Sequence, residues 1–174
     1  MQRILVALDG SEHSDKALDL ASDIAAKYGA ELVLLHVMSD EPLTNGERYL
    51  AETEYVDDLL SSLQAPVMDS GDSRQRAERV LRYYSEVARR YRQAIGDRLM
   101  SRARDRARQK GVQTMQAVLE DGNPASTILR VAKRLQVDMI FLGSRGLSDA
   151  KGLLMGSVSH KVAHLAECTC VTVK

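Results

Sequence analysis

The sequence predicts an α/β protein built on an open sheet of five parallel strands. Three observations lead to this fold class. Short, continuous aliphatic runs recur along the 174 residues, and such runs are typical of strands that are buried on both faces. Segments with apolar residues at helical spacing alternate with these runs. Most of the connecting turns are minimal, which favours βαβ units with a right-handed crossover.

The first βαβ unit shows the pattern in full. The run RILVAL at 3–8 ends at the turn residues DGS, and Ser11 is a suitable N-cap for a helix. Apolar residues then recur at helical spacing until Gly29, and a second strand follows at 30–37. The later elements predicted in the same way are a strand at 112–120, a helix at 124–136 with proline in its first turn, a strand at 137–144, a helix at 157–167 and a short strand at 168–173.

The ends of the first and fourth strands are predicted to meet at a ligand-binding crevice. In open α/β sheets, ligands bind beyond the carboxyl ends of the strands, at the point where the strand order changes direction. We expect the first and fourth strands to be neighbours at this point. Asp9 follows the first strand and Gly143 ends the fourth, so two residues distant in sequence converge there.

The connection between the second and third strands, residues 39–111, is far longer than a usual crossover. An amphipathic helix is a candidate at 47–63, and residues 74–110 are predicted to form one long helix with many arginines. Its apolar stripe consists of Ala77, Val80, Leu81, Tyr84, Val87, Ala88, Tyr91, Ala94 and Ile95. The arginine-rich surface is interpreted as solvated, and a protein partner or dimer contact is the alternative. Nucleic acid is not expected as a partner, because acidic residues are interleaved and the formal net charge is zero.

Composition is typical of a globular protein, most simply a single domain. Hydrophobic residues make up 44% and charged residues 28% of the chain. No apolar run approaches the roughly 18 residues of a membrane span, and the start MQRILVALDG lacks the length and cleavage site of a signal peptide. The two cysteines, Cys168 and Cys170, are too few and too close for a disulfide framework, which favours a reducing compartment and therefore the cytoplasm.

A glycine pattern follows the fourth predicted strand. Gly143, Gly146, Gly156 and Ser157 have the spacing G-x-x-G-x9-G-S, and a predicted helix begins at the last of them. The unpaired N–H groups and the dipole at a helix start can hold a phosphate, and the hydroxyls of Ser157 and Ser159 would add donors. The pattern therefore predicts a phosphate site, with a flexible turn that binds no ligand as the alternative.

The segments ILVALDGSEHSDKAL, LVLLHV, DMIFLGSRG and LLMGSVSHKVAHLAECTCVTV, in this order, resemble those of the universal stress proteins. The resemblance covers both ends of the chain and leaves residues 39–100 as a divergent insertion. It implies one domain, residues 1–174, with an adenine nucleotide alpha hydrolase-like fold, strand order 3-2-1-4-5 and helices on both faces. It also implies a homodimer formed around the last strand. In the subgroup that retains the full glycine pattern, it implies ATP bound with Mg²⁺ through the phosphates.

Matched position by position, the resemblance implies an ATP site. Asp9 would hold the ribose, and from the residues alone it can also favour the turn and the start of the first helix, a role compatible with the first. The adenine pocket would be lined by Ala7, Leu8 and the backbone of Val37. Ribose and phosphates would be wrapped by Leu142, Gly143, Arg145 and Gly146, and the phosphates would be held by Gly156, Ser157, Val158 and Ser159. The family often has a proline where this chain has Thr169, so the geometry of the dimer is less firmly implied than the fold.

A metal site is not predicted. His160 and His164 lie one helical turn apart and are followed by Cys168 and Cys170, but this spacing does not match a familiar zinc site. The two cysteines lie on the same face of a predicted strand, where they act as small buried hydrophobic residues.

The expected function is that of a homodimeric nucleotide sensor that regulates a stress response through a protein partner. No catalytic residues are predicted, because neither His13 nor His36 has a spaced carboxylate or a serine motif, so ATP hydrolysis would be slow and incidental. Two alternatives stay open. One is an enzyme of the related nucleotide-binding folds, such as an ATP pyrophosphatase or an adenylyl transferase, although a pyrophosphatase would have S-G-G-x-D-S where this chain has LDGSEHS. The other is a scaffold that binds no nucleotide.

Overall fold

The computed structural model describes residues 1–39, 72–146 and 155–174. Within these ranges the chain forms a five-stranded sheet with the order β3-β2-β1-β4-β5, as the resemblance implies. The strands are β1 (Arg3–Leu8), β2 (Glu31–Met38), β3 (Met115–Asp121), β4 (Met139–Gly143) and β5 (Thr169–Val173). The helices are α1 (Glu12–Tyr28), α2 (Ser73–Gln109), α3 (Pro124–Arg134) and α4 (Ser157–Leu165). The helix candidate at 47–63 lies outside the described residues.

The central strand, β1, carries the aliphatic run that predicted the sheet. It pairs in parallel with β2 on one side and with β4 on the other, which confirms the predicted neighbours. Ile4, Leu5 and Val6 expose no surface. Ile4 and Val6 belong to the core that the sheet forms with α1 and α2, whereas Leu5 belongs to the core that it forms with α3 and α4. Helices therefore cover both faces of the sheet.

Several element boundaries differ from the predicted ones. Strand β3 begins at Met115 rather than at residue 112, because α2 is followed by a turn in which Gly111 has a φ of 89°. Helix α3 ends at Arg134 rather than at residue 136, because Gln136 adopts a φ of 50° that a right-handed helix cannot contain. The other predicted ranges that the structure shifts are 30–37 for β2, 74–110 for α2, 137–144 for β4, 157–167 for α4 and 168–173 for β5.

The long helix α2 is confirmed, but its fully buried residues lie beyond the predicted apolar stripe. The predicted stripe lies in the first part of the helix, where Leu81 is 69% exposed. Burial begins further along, at Gly96, where an added Cβ would lie 2.8 Å from Leu119 Cδ1. The buried side chains of α2 are then Met100, Ala103 and Ala107. Small residues let this half of the helix approach the sheet closely. A prediction based on the spacing of large apolar residues overlooks them. None of the helices in the described ranges has both the length and the apolar character that a membrane crossing requires.

Candidate functional site

The carboxyl ends of β1 and β4 lie side by side and bring Asp9 next to Gly146. In the carboxylate of Asp9, Oδ1 accepts a hydrogen bond of 3.0 Å from the backbone N–H of Ser11. The other oxygen, Oδ2, faces Gly146 so closely that an added Cβ there would lie 2.6 Å from it. Two predicted site residues that are far apart in the sequence are therefore in contact across the crevice. One carboxylate oxygen is fixed by the turn, and the other lies beside the glycine.

Ser11 holds the two sides of the crevice together. Its Oγ accepts a hydrogen bond of 3.1 Å from the backbone N–H of Ser14, as an N-cap does, and donates one of 3.3 Å to the carbonyl of Arg145. The cap of α1 thus also positions the segment between Gly143 and Gly146. The sequence predicted the cap, but it did not predict the second bond, because Ser11 and Arg145 become neighbours only in the folded sheet.

Gly143 is required by the packing of β4 against α1. An added Cβ would lie 2.8 Å from the carbonyl carbon of His13, 2.8 Å from the backbone nitrogen of Ser14 and 2.9 Å from the Cβ of His13. These atoms belong to the first turn of α1 and its backbone, which cannot move aside as a flexible side chain can. The absence of a side chain at this position therefore lets β4 end directly against α1.

Ser144, which the sequence did not single out, connects four elements. Its backbone N–H donates to the carbonyl of Val173 at the end of β5, 2.6 Å away, and its carbonyl accepts from the backbone N–H of Gly156, 2.7 Å away, just before α4. Its hydroxyl lies 3.3 Å from Nδ1 of His13 in α1. Although a serine and a histidine are paired here, Ser144 is only 1% exposed and is not accessible as a nucleophile.

The start of α4 offers unpaired N–H groups. Gly156 is the N-cap and has no side chain to accept from the helix, so the first turn lacks a side-chain cap. Within the described ranges, no acceptor is found for the backbone N–H groups of Ser157, Val158 and Ser159. With the positive end of the helix dipole, these groups form an arrangement that suits an anion.

The hydroxyl of Ser159 is engaged in a different way from the one predicted. It donates a 2.7 Å hydrogen bond to the carbonyl of Gly143, and the residue is only 5% exposed. In this arrangement its O–H proton is not available to a phosphate, so the expectation of a hydroxyl donor is corrected. Ser159 can contribute its backbone N–H instead, whereas the exposed Ser157 keeps its hydroxyl accessible.

The predicted adenine-lining residues fall on opposite faces of the sheet. Ala7 and Val37 are partly buried on the face that α3 and α4 cover. Leu8 is buried on the opposite face, with α1 and α2, and Leu142 is only 3% exposed, so both approach the crevice through their backbones. The carbonyl of Leu8 accepts a hydrogen bond of 2.8 Å from Nδ1 of His36, another contact that the sequence did not predict.

The histidine and cysteine residues near the end of the chain do not converge. The rings of His160 and His164 stack with their centroids 6.4 Å apart. Burial raises the pKa of the thiols of Cys168 and Cys170. Both cysteines are half-buried against the core on the α3 and α4 face. Among the described residues, no three histidine, cysteine or acidic side chains come together in a way that would hold a metal ion.

Comparison with known proteins gives a consistent match. The model of the universal stress protein family matches residues 1–174. The universal stress protein YxiE of Bacillus subtilis is 34% identical over 176 aligned positions, which cover 99% of this chain and 98% of that protein. A crystal structure of a universal stress protein in complex with cAMP has a TM-score of 0.63 at 22% identity and covers 99% of this chain and 97% of the other. A family protein from Arabidopsis thaliana with AMP bound has a TM-score of 0.60 at 19% identity, with coverage of 100% and 92%.

Proposed function

Because the chain belongs to the universal stress protein family, we propose that it is a regulatory protein that binds ATP with Mg²⁺ in the crevice between β1 and β4. The observation that carries this proposal is the start of α4, which has no side-chain cap and whose first N–H groups have no acceptor among the described residues. It lies against the end of β4, close to where Gly146 faces the carboxylate of Asp9. An anion-binding helix start beside an acceptor for sugar hydroxyls suits a nucleotide better than it suits a simple anion. Solved structures of similar fold that carry cAMP or AMP support an adenine nucleotide as the ligand.

The chemistry of the donor set fits this ligand. Backbone N–H groups of Ser157, Val158 and Ser159 would bind phosphate oxygens, with Gly156 allowing their close approach. Arg145 and Gly146 would wrap the ribose and phosphates together with the backbones of Leu142 and Gly143. Asp9 would accept from the ribose through Oδ2, while Ala7, Val37 and the backbone of Leu8 would line the adenine. Mg²⁺ would be held through the phosphates and water, since it keeps much of its hydration shell in such sites.

Ser144 gives the proposed sensor a route to the rest of the molecule. Its carbonyl bonds to the N–H of Gly156, immediately before the proposed phosphate-binding turn, and its N–H bonds to Val173 at the end of β5. A shift of the start of α4 upon phosphate binding would therefore be transmitted through Ser144 to β5. Because β5 is an edge strand, it can also pair with a second copy of the chain, which is the proposed homodimer contact. We place this regulatory protein in the cytoplasm, with a protein partner that reads the nucleotide state.

A pair of substitutions at Ser157 tests the phosphate contact directly. Ser157→Pro removes one N–H donor at the first helical position, where proline is tolerated and where α3 already has Pro124. The preceding Gly156 has a ψ of 161°, which is compatible with a following proline. Ser157→Ala is the matched control, because it removes only the hydroxyl. Loss of a hydrogen bond to a charged group, about 1.5–3 kcal/mol, should raise the Kd for ATP with Mg²⁺ about 10- to 150-fold in the proline variant.

The measurement is a calorimetric titration with ATP and Mg²⁺, together with thermal unfolding of each variant without ligand. Equal affinity of the proline and alanine variants, with both unfolding like the parent, would overturn the phosphate contact. Failure of the parent protein to bind would favour a scaffold that uses no nucleotide. Rapid release of AMP and pyrophosphate during the titration would instead indicate an enzyme of the related nucleotide-binding folds.

A further inference from the structure

A second cavity lies away from the crevice, at the opposite end of the sheet. It has a volume of about 400 Å³ and is lined by Arg104, Arg108, Val112, Gln113 and Met115. Met115 begins β3, so the cavity lies at the amino ends of the strands, whereas the crevice lies at their carboxyl ends. Among the described strands, β3 is also an edge of the sheet. Of the residues that line the cavity, Arg104, Arg108 and Gln113 are exposed.

The two arginines that line the cavity lie close together on α2 and carry the same charge. Arg104 and Arg108 are one turn apart on α2, and like charges at this spacing destabilise a helix by roughly 0.2–0.5 kcal/mol. Arg108 has a single long ion pair of 3.5 Å with Asp105, in which both side chains are largely exposed. Arg104 has no acidic partner within the ranges that the structure describes.

Arg106, on the same helix, has acidic partners where α2 packs against α1. Arg106 binds both carboxylate oxygens of Asp19 at 2.6 Å and approaches Asp15 at 3.1 Å. It thereby joins α2 to α1 with a forked, charge-assisted contact. Arg104 and Arg108 instead line the cavity.

The remaining lining residues define what fits between the arginines. Val112 is buried and Met115 is half-buried, so together they give the cavity only a small apolar patch. The amide Nε2 of Gln113 donates to the carbonyl of Gly111 at 3.1 Å, which orients the side chain and leaves its Oε1 as an acceptor. The cavity thus combines two arginine side chains and a polar amide with a small apolar patch.

We propose that this cavity binds a small organic phosphate monoester. The phosphate dianion would bridge Arg104 and Arg108, whose planar guanidinium groups match phosphate oxygens, and the organic group would lie on Val112 and Met115. A simpler explanation is that cations near the end of a helix interact favourably with its dipole. That explanation suits Arg108, which lies in the last turn, but not Arg104, which lies before it.

The test uses the full chain and phenyl phosphate as the probe, followed by amide chemical shifts in ¹⁵N-labelled protein. We expect saturable shifts at residues 104–115 and a Kd that rises at least about tenfold in the double variant Arg104→Gln, Arg108→Gln, since about 1.4 kcal/mol corresponds to this factor. The matched control is Arg79→Gln, Arg82→Gln, which removes the same charge from the same helix outside the cavity. Benzoate and inorganic phosphate are parallel probes, and both should bind more weakly than phenyl phosphate, because each lacks one half of the proposed contact.

The Ser157→Pro variant separates this proposal from the nucleotide site. It should bind ATP more weakly and keep the phenyl phosphate response at 104–115, so the two proposals can fail independently. The absence of shifts at these residues in the parent protein would overturn the cavity proposal. Equal weakening by the two double variants would do so as well, because it would indicate attraction by total charge alone.

Discussion

Gly146→Ala should weaken nucleotide binding while leaving the fold intact. The added Cβ would lie 2.6 Å from Oδ2 of Asp9, which is 0.8 Å inside the 3.4 Å at which ordinary contact begins. The carboxylate has little freedom to move away, because its Oδ1 is bonded to the N–H of Ser11 at 3.0 Å. Either that bond breaks or Oδ2 turns out of the crevice. A displaced carboxylate can no longer accept from the ribose, and loss of a hydrogen bond to a charged group costs about 1.5–3 kcal/mol, which corresponds to a Kd for ATP about 10- to 150-fold higher.

The assay is a double-mutant cycle with Asp9→Ala, read by calorimetry. If the glycine substitution acts by displacing the carboxylate, its effect should nearly vanish once the carboxylate is absent. We therefore expect the effects of the two substitutions to be clearly non-additive, by more than about 0.5 kcal/mol. Additive effects, or a Gly146→Ala variant that binds like the parent, would refute the view that Asp9 and Gly146 form one contact surface for the ligand.

Three further predictions concern stability. Gly143→Ala should destabilise the protein by about 1–3 kcal/mol even without ligand, because its Cβ would meet the backbone nitrogen of Ser14 at 2.8 Å; urea unfolding measures this, and an unchanged midpoint would contradict it. Ser11→Ala should cost about 1 kcal/mol through loss of the α1 cap, as thermal unfolding can show. A hydrogen bond from Arg106 lowers the pKa of Asp19 below its usual 3.8, so this ion pair stabilises the fold above that pH and less as the pH falls through the lowered value. Urea unfolding at neutral pH and near pH 3 should therefore show a smaller acid-induced loss in Arg106→Gln than in the parent.

The sheet could be predicted from sequence because its central strands are buried on both faces. The runs at 3–8 and 30–37 contain little but aliphatic residues, and a segment of that kind has few stable positions other than the middle of a parallel sheet. Boundaries were less predictable, since they depend on pairing. Strand β5 begins at Thr169 because that residue is the partner of Met139 in β4, and such a register is not visible in either segment alone.

The packing of α2 could not be predicted from hydrophobic spacing. The larger apolar residues of this helix lie in its first part, but the part that touches the sheet is marked by Gly96, Ala103 and Ala107. Alanine and glycine score weakly as hydrophobic residues, although they permit the closest approach of a helix to a sheet. The long-range contacts of Ser11 and Ser144 were missed for a different reason, since their partners are distant in sequence.

The three glycines of the phosphate-site pattern are required for different physical reasons. These reasons distinguish the glycine that folding needs from those that ligand binding would need. Gly143 is needed because β4 ends against the backbone of α1, so even a chain that bound nothing would need it. Gly146 is confined by the carboxylate of Asp9, which is proposed to bind the ribose. A chain that binds no nucleotide could have a larger residue at position 146 together with a shorter one at position 9. Gly156 leaves the start of α4 without a side-chain cap, at a cost in helix stability that a bound anion would offset. Substitutions at Gly143 should therefore act on the unfolding of the free protein, whereas those at Gly146 should act mainly on the stabilisation that ligand adds. If both acted on the free protein alone, the glycine pattern would be a feature of folding and no argument for a nucleotide.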